Sequence, residues 1–165
     1  MLGIDLMFNV VGAAFVIYII YKLFFSPRKK VIAFDMGGVF TTGDFWTEEV
    51  RERAGMRALV KKLRKKYRVV ILSNNNSEAY GLFDRKFGFS RLFDDAVVSG
   101  RVGVKKPDPK IFQILLGRFG VKGKDCAFID DNVDNLVPAK QMGINTFKFD
   151  SIQQLVPQLR KAGFY

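Results

Sequence analysis

The sequence predicts an α/β protein with a mainly parallel five-stranded sheet, preceded by one transmembrane helix. Three observations predict it. An apolar stretch lies near the N-terminus, short apolar runs alternate with helical patterns, and polar or acidic residues stand directly after those runs.

Residues 6–25 are interrupted only by Asn9 and Lys22. About 20 helical residues span about 30 Å, the thickness of a bilayer core. Tyr18 and Tyr21 lie near one end, where amphipathic rings favour the interface, and Lys22 can extend its ammonium to the headgroups. Arg28, Lys29 and Lys30 follow the span and Asp5 precedes it. The positive-inside rule then expects a single-pass membrane protein with its main domain in the cytoplasm. A cleaved signal peptide fits less well, because such peptides start basic and end at small residues. Here Asp5 opens the stretch and Phe24-Phe25-Ser26-Pro27 closes it. Residues 26–30 form a basic linker that reaches at most about 17 Å, which holds a domain at 31–165 close to the membrane surface.

Composition narrows the chemistry. With 48% apolar residues and 17 Phe the chain is not disordered. Histidine is absent, which excludes Ser-His-Asp and Cys-His catalysis and the usual His-based zinc sites. The single cysteine, Cys126, sits in an apolar run and reads as a buried strand residue. The net charge of +11 favours anionic neighbours. The basic stretch from Lys61 to Arg68 reads first as a solvated helix face; close to anionic lipid it would contribute about 1 kcal/mol per residue. No aromatic-interleaved recognition motif accompanies it, so nucleic acid is not an expected partner.

The strands are expected at 31–34, 69–72, 96–98, 126–129 and 146–149. Their apolar character on both faces is what a buried parallel sheet requires. Met56, Leu59, Val60 and Leu63 repeat at helical spacing, predicting an amphipathic helix over 56–66. Asp108 followed by Pro109 predicts a helix start, and Gly120 its end.

In an open α/β sheet, ligands gather beyond the carboxyl ends of the strands. The first strand is followed by Asp35, the second by Ser73-Asn74-Asn75, and the fourth by Asp130-Asp131, with Asn135 soon after; Lys106 precedes Pro107-Asp108-Pro109. Clustered carboxylates repel unless a cation lies between them, and Mg²⁺ prefers such hard oxygen ligands. A metal and a lysine offset the charge of a phosphoryl group. A carboxylate can act as nucleophile and form an acyl-phosphate. No Gly-x-x-x-x-Gly-Lys-Ser/Thr loop is present, which argues against a P-loop NTPase. A response-regulator receiver places its acidic pair first in the chain; here the pair comes last.

The order Asp35, Ser73, Lys106, Asp130-Asp131 resembles the haloacid dehalogenase superfamily. Ile71-Leu72-Ser73-Asn74-Asn75 is similar to its second motif, Val98 to Phe112 to its third with flanks, and Phe128-Ile129-Asp130-Asp131 to its fourth. The resemblance covers about residues 31 to 150 and implies a Rossmannoid three-layer α/β/α sandwich. It implies that Asp35 is the nucleophile and a metal ligand, and that Asp131, Asp130 and the Gly37 carbonyl complete an Mg²⁺ site. Ser73 with Asn74 then binds the phosphoryl group, Lys106 orients Asp35 and the substrate, and Asn135 orients the fourth-motif loop.

Two departures stand out. Family phosphatases usually carry an acid-base Asp two residues after the nucleophile, where this chain has Gly37. Asp44, in an expected loop, is the candidate substitute. Relatives with these motifs also usually insert a helical cap domain between the first and second motifs; residues 41 to 67 leave room only for a flap, a turn and the helix. The expected protein is therefore a capless Mg²⁺-dependent phosphatase. Its open site would suit a phosphorylated macromolecule or a membrane-proximal substrate, and a small phosphorylated metabolite also fits. The alternatives are a catalytically weak binding module, which Gly37 favours, and a dehalogenase, which the acidic pair disfavours. The oligomeric state is left open.

Overall fold

The apolar runs pair as a parallel sheet. The computed structural model describes residues 12–18, 29–43 and 49–165. Strand β1 (Val31–Phe34) is followed by a small antiparallel hairpin of β2 (Thr41–Thr42) and β3 (Arg51–Glu52). Then come β4 (Arg68–Ser73), β5 (Asp95–Val98), β6 (Cys126–Asp130) and β7 (Asn145–Lys148). The main sheet runs β5-β4-β1-β6-β7, and every pairing in it is parallel.

Helices α1 (Met56–Arg64), α2 (Ser77–Phe87), α3 (Phe89–Leu92), α4 (Ser99–Val102), α5 (Pro109–Phe119), α6 (Val133–Gln141) and α7 (Ile152–Lys161) connect and flank these strands. Successive strand residues point to opposite faces, so each strand feeds two cores. Ile32, Phe34, Val69, Ile71, Ala127 and Ile129 pack with α1 and α7. Val31, Ala33, Val70, Leu72, Cys126 and Phe128 pack with α5 and α6. The result is the expected three-layer α/β/α arrangement. Cys126 is buried, and burial pushes its thiol up to about 12.

The helix signals behave as their chemistry requires. The Asp108 carboxylate accepts from Lys110 N at 2.9 Å, Pro109 occupies the first turn, and Gly120 ends α5 with φ 61. Helix α1 stops at Arg64, short of the expected residue 66, because the chain turns there to enter β4. Lys66 N and Tyr67 N both donate to Leu63 O, at 3.0 and 2.9 Å. The expected strand at 96–98 begins one residue earlier, at Asp95, and the one at 146–149 lies one residue earlier in the chain.

The expected span at 6–25 and the linker at 26–30 lie outside the described residues except for 12–18, which are helical and exposed, and for residues 29 and 30. Among the described residues no helix is long and apolar enough to cross a membrane.

Candidate active site

Strand β1 sits where the strand order reverses. The chain builds β4 and β5 on one side of it, then returns to build β6 and β7 on the other. Such a reversal opens a crevice beyond the carboxyl ends of the strands. Asp35 stands at that point. Its N–H donates to Ile129 O at 2.8 Å, carrying the β1–β6 ladder one residue further and fixing the Asp35 backbone.

The loop after Asp35 is tightly held. Met36 O accepts from Phe40 N (3.0 Å), Thr41 N (2.8 Å) and Thr41 Oγ1 (3.1 Å). Phe40 meets Phe89 and Phe93 edge to face, each at 5.3 Å between ring centres. Arg53, just past β3, donates to Gly38 O at 2.6 Å and Val39 O at 3.0 Å, and its guanidinium lies 5.0 Å from the Phe149 ring centre. The hairpin therefore clamps the loop that carries the candidate nucleophile.

Lys106 joins the strands' ends electrostatically. Its Nζ donates to Asp35 Oδ1 at 2.6 Å and to Asp130 Oδ2 at 2.7 Å, and its side chain is 1% exposed. The Lys106 backbone is locked from β4's side: Asn74 Nδ2 donates to Lys106 O and Lys106 N donates to Asn74 Oδ1, both at 2.8 Å. Asp130, fully buried, also accepts from Asn132 N at 2.8 Å and from Asn135 Nδ2 at 3.1 and 3.0 Å. A buried carboxylate requires such a set of donors.

Asp131 is exposed beside them. Gly38, with φ 76, faces it so closely that a Cβ there would lie 2.1 Å from Asp131 Oδ2. Carboxylate oxygens of Asp35, Asp130 and Asp131 lie within 4.8 Å of one another. The ammonium of Lys106 balances only part of their charge. Burial, reinforced by the charge of Asp130, pushes Asp35 up to about 6 against the opposing pull of Lys106. Three converging oxygen donors with excess negative charge suit a hard divalent cation.

The cleft, about 410 Å³, is lined by Asp35, Gly37, Ser73, Lys106, Asp130 and Asp131, together with Asn74, Asn75, Asn132 and Asn135. Thus Asp35, Gly37, Ser73, Asn74, Lys106, Asp130, Asp131 and Asn135 gather at one site. The Asn74 side chain is engaged with the Lys106 backbone, so it positions Lys106 while lining the cleft. Asp44 lies outside the described residues.

Sequence reasoning did not single out Gly38, Arg53, Asn132 or Gly100. Gly100 N and Ser99 Oγ donate to Asn75 O at 2.8 and 3.0 Å, and a Cβ on Gly100 would lie 2.7 Å from Asn76 Cα. The close approach of α4 to the loop after β4 requires glycine there. The Gly37-Gly38 pair and the Ser99-Gly100 pair were the available signals.

The fold and the cleft define a doubly wound α/β protein whose acidic, cation-ready site lies at the switch point. The profile of haloacid dehalogenase-like hydrolases matches residues 45–143, and the chain belongs to that family of hydrolases. It is 34% identical over 109 residues to acyl-CoA dehydrogenase family member 10 of Mus musculus, covering 63% of this chain and 10% of that protein. It is 29% identical over 142 residues to the glyceraldehyde 3-phosphate phosphatase of Pyrococcus furiosus, covering 84% of this chain and 58% of that one. Among solved structures it is similar to a family enzyme of Bacteroides thetaiotaomicron in complex with magnesium and inorganic phosphate. There the TM-score is 0.67 at 19% identity, over 78% of this chain and 99% of that one, a likeness of fold. The chain spans 10%, 17% and 36% of the length of three curated relatives it matches, the Mus musculus protein among them.

Proposed function

We propose that this hydrolase is an Mg²⁺-dependent phosphatase that cleaves phosphoric monoesters through an aspartyl-phosphate on Asp35. The observation that carries the reading is the buried Lys106 ammonium bridging Asp35 and Asp130 within a cluster of three carboxylates. Asp35, Asp130 and Asp131 would hold the ion, with the Gly37 carbonyl as a further oxygen donor at the cleft wall. When bound, the ion supplies positive charge against the phosphoryl oxygens and Asp35.

The chain's own groups do the rest. A carboxylate oxygen of Asp35 attacks phosphorus, and the ester P–O bond breaks as the O–P bond to Asp35 forms. Lys106 Nζ keeps Asp35 oriented and offsets its charge. The Ser73 hydroxyl and the backbone N–H groups after β4 bind the transferring oxygens. Water then attacks the acyl-phosphate, releasing phosphate and restoring the carboxylate.

The segment between β1 and β4 supports a capless, open site: its described part holds only the β2–β3 hairpin and α1. An open site favours a phosphorylated macromolecule or a substrate at the membrane surface. The apolar residues 6–25 and the basic residues after them support a single-pass anchor with this domain on the cytoplasmic side. A second reading, a binding module with weak catalysis, is favoured by Gly37 alone.

The test is phosphate release from a generic aryl phosphate by the full chain. We expect turnover with Mg²⁺, none with chelator, and loss to background in Asp35→Asn. Equal release by Asp35→Asn would remove the enzyme reading. Gly38→Ala probes the metal site separately. The added Cβ displaces the Asp131 carboxylate, and the left-handed backbone costs a further 1–2 kcal/mol or about that. Mg²⁺ affinity, measured by titration calorimetry, is expected to fall about 10- to 100-fold. Unchanged affinity would remove Asp131 from the ligand set.

A further inference from the structure

Away from the catalytic cleft, and sharing no residue with it, a hollow of about 360 Å³ opens among α1, α2 and α3. Its wall carries Arg57 and Lys61 from α1, Arg85 and Lys86 from the last turn of α2, and Arg91 from α3, with Gly88 at the turn between. Three elements thus bring five cationic side chains to one concavity. Glu52 is held by Arg57, through Nε at 2.9 Å and Nη2 at 2.5 Å, and Asp84 accepts from Ser90 N at 2.7 Å. The side chains of Lys61, Arg85 and Arg91 make no hydrogen bond or ion pair among the described residues.

Gly88, with φ 67, lets the Arg91 guanidinium lie close to the backbone, since a Cβ there would sit 3.3 Å from Arg91 Nη2. The Arg57 guanidinium is oriented by Glu52 and by Phe87 O, which accepts from Nη2 at 2.7 Å. The hollow therefore presents preset guanidinium groups beside unpaired ones. Like charges gathered in a concavity repel one another in the free protein. A multiply charged anion turns that repulsion into attraction, and guanidinium forks match the oxygens of a phosphate.

We propose that this hollow is a second anion site, separate from the active site, that binds a phosphate-bearing group. The same chemistry is offered by a free polyphosphate and by a phosphorylated lipid headgroup.

The experiment uses the full chain with chelator present, so that the catalytic carboxylates repel anions. Inorganic pyrophosphate is titrated by calorimetry into the wild type, Ser73→Ala and Arg85→Gln/Arg91→Gln. In parallel, phosphatidylcholine vesicles with and without phosphatidylinositol bisphosphate are sedimented with the same proteins. We expect saturable binding that Ser73→Ala retains, that the double variant weakens roughly tenfold or more, and that salt weakens further. Binding of pyrophosphate with equal capture by both vesicles assigns a soluble ligand. Extra capture by the bisphosphate vesicles, lost in the double variant, assigns the headgroup. No saturable binding in either arm, binding unchanged in the double variant, or binding abolished by Ser73→Ala overturns the proposal. Lys61→Gln, on the exposed face of α1, gives a smaller loss in the same direction and serves if the double variant does not fold.

Discussion

Lys106→Met is expected to lower the stability of the metal-free protein by about 3–5 kcal/mol at neutral pH, because it leaves two carboxylates without their buried cation. Methionine fills much of the same volume, so packing loss contributes little. The effect has a pH signature. Burial, reinforced by Asp130 and opposed by Lys106, pushes Asp35 up from 3.8 to about 6. Between those values the folded chain holds a proton that the unfolded chain has released, so this group costs stability as pH rises through the window. Removing Lys106 removes the opposing charge and pushes Asp35 higher. The deficit of Lys106→Met should therefore be small near about pH 4 and grow through about pH 6 and above. Urea unfolding across that range measures it. A deficit that does not vary with pH would show that Lys106 acts through packing and not through charge. Turnover of the variant with Mg²⁺ is expected to fall about 10²- to 10³-fold, as for loss of a preorganised charge.

Gly37→Asp is expected to raise turnover. Gly37 borders the cleft, and its backbone is not among the left-handed glycines, so an aspartate there pays no left-handed backbone penalty. An acid-base carboxylate contributes about 10²- to 10⁴-fold, equivalent to about 3–5 kcal/mol of barrier. A gain of that size in kcat for a poor leaving group, and less for an activated aryl phosphate, would show that proton transfer limits the natural chain. No gain for either substrate would mean that another residue, with Asp44 the first to test, already does this work.

The parts of this molecule that repeat along the chain were legible in its sequence. Strands apolar on both faces and the stripe of Met56, Leu59, Val60 and Leu63 leave a periodic trace, and Asp108-Pro109 and Gly120 mark their helix ends directly. The residues following the strands were legible because a parallel sheet collects its carboxyl ends at one edge, which brought Asp35, Ser73 and Asp130 together with Lys106. Contacts between loops leave no such trace. Nothing in the sequence pairs Asn74 with the Lys106 backbone, Arg53 with the carbonyls of Gly38 and Val39, or Gly38 with the Asp131 carboxylate. Helix α2 was missed because it buries only Tyr80 and Phe83, too few to set a period. Pro157 inside α7 masked a helix whose buried face is Leu155 and Leu159.

The central claim is that Asp35 carries the phosphoryl group. The direct measurement is acid quenching of the full chain during Mg²⁺-dependent turnover, followed by peptide mass spectrometry. The account predicts a phosphoryl mass increment on Asp35, absent with chelator and labile to hydroxylamine as an acyl-phosphate is. Steady turnover with the increment on a different residue, or with none trapped even when release is slowed by cold, would contradict it.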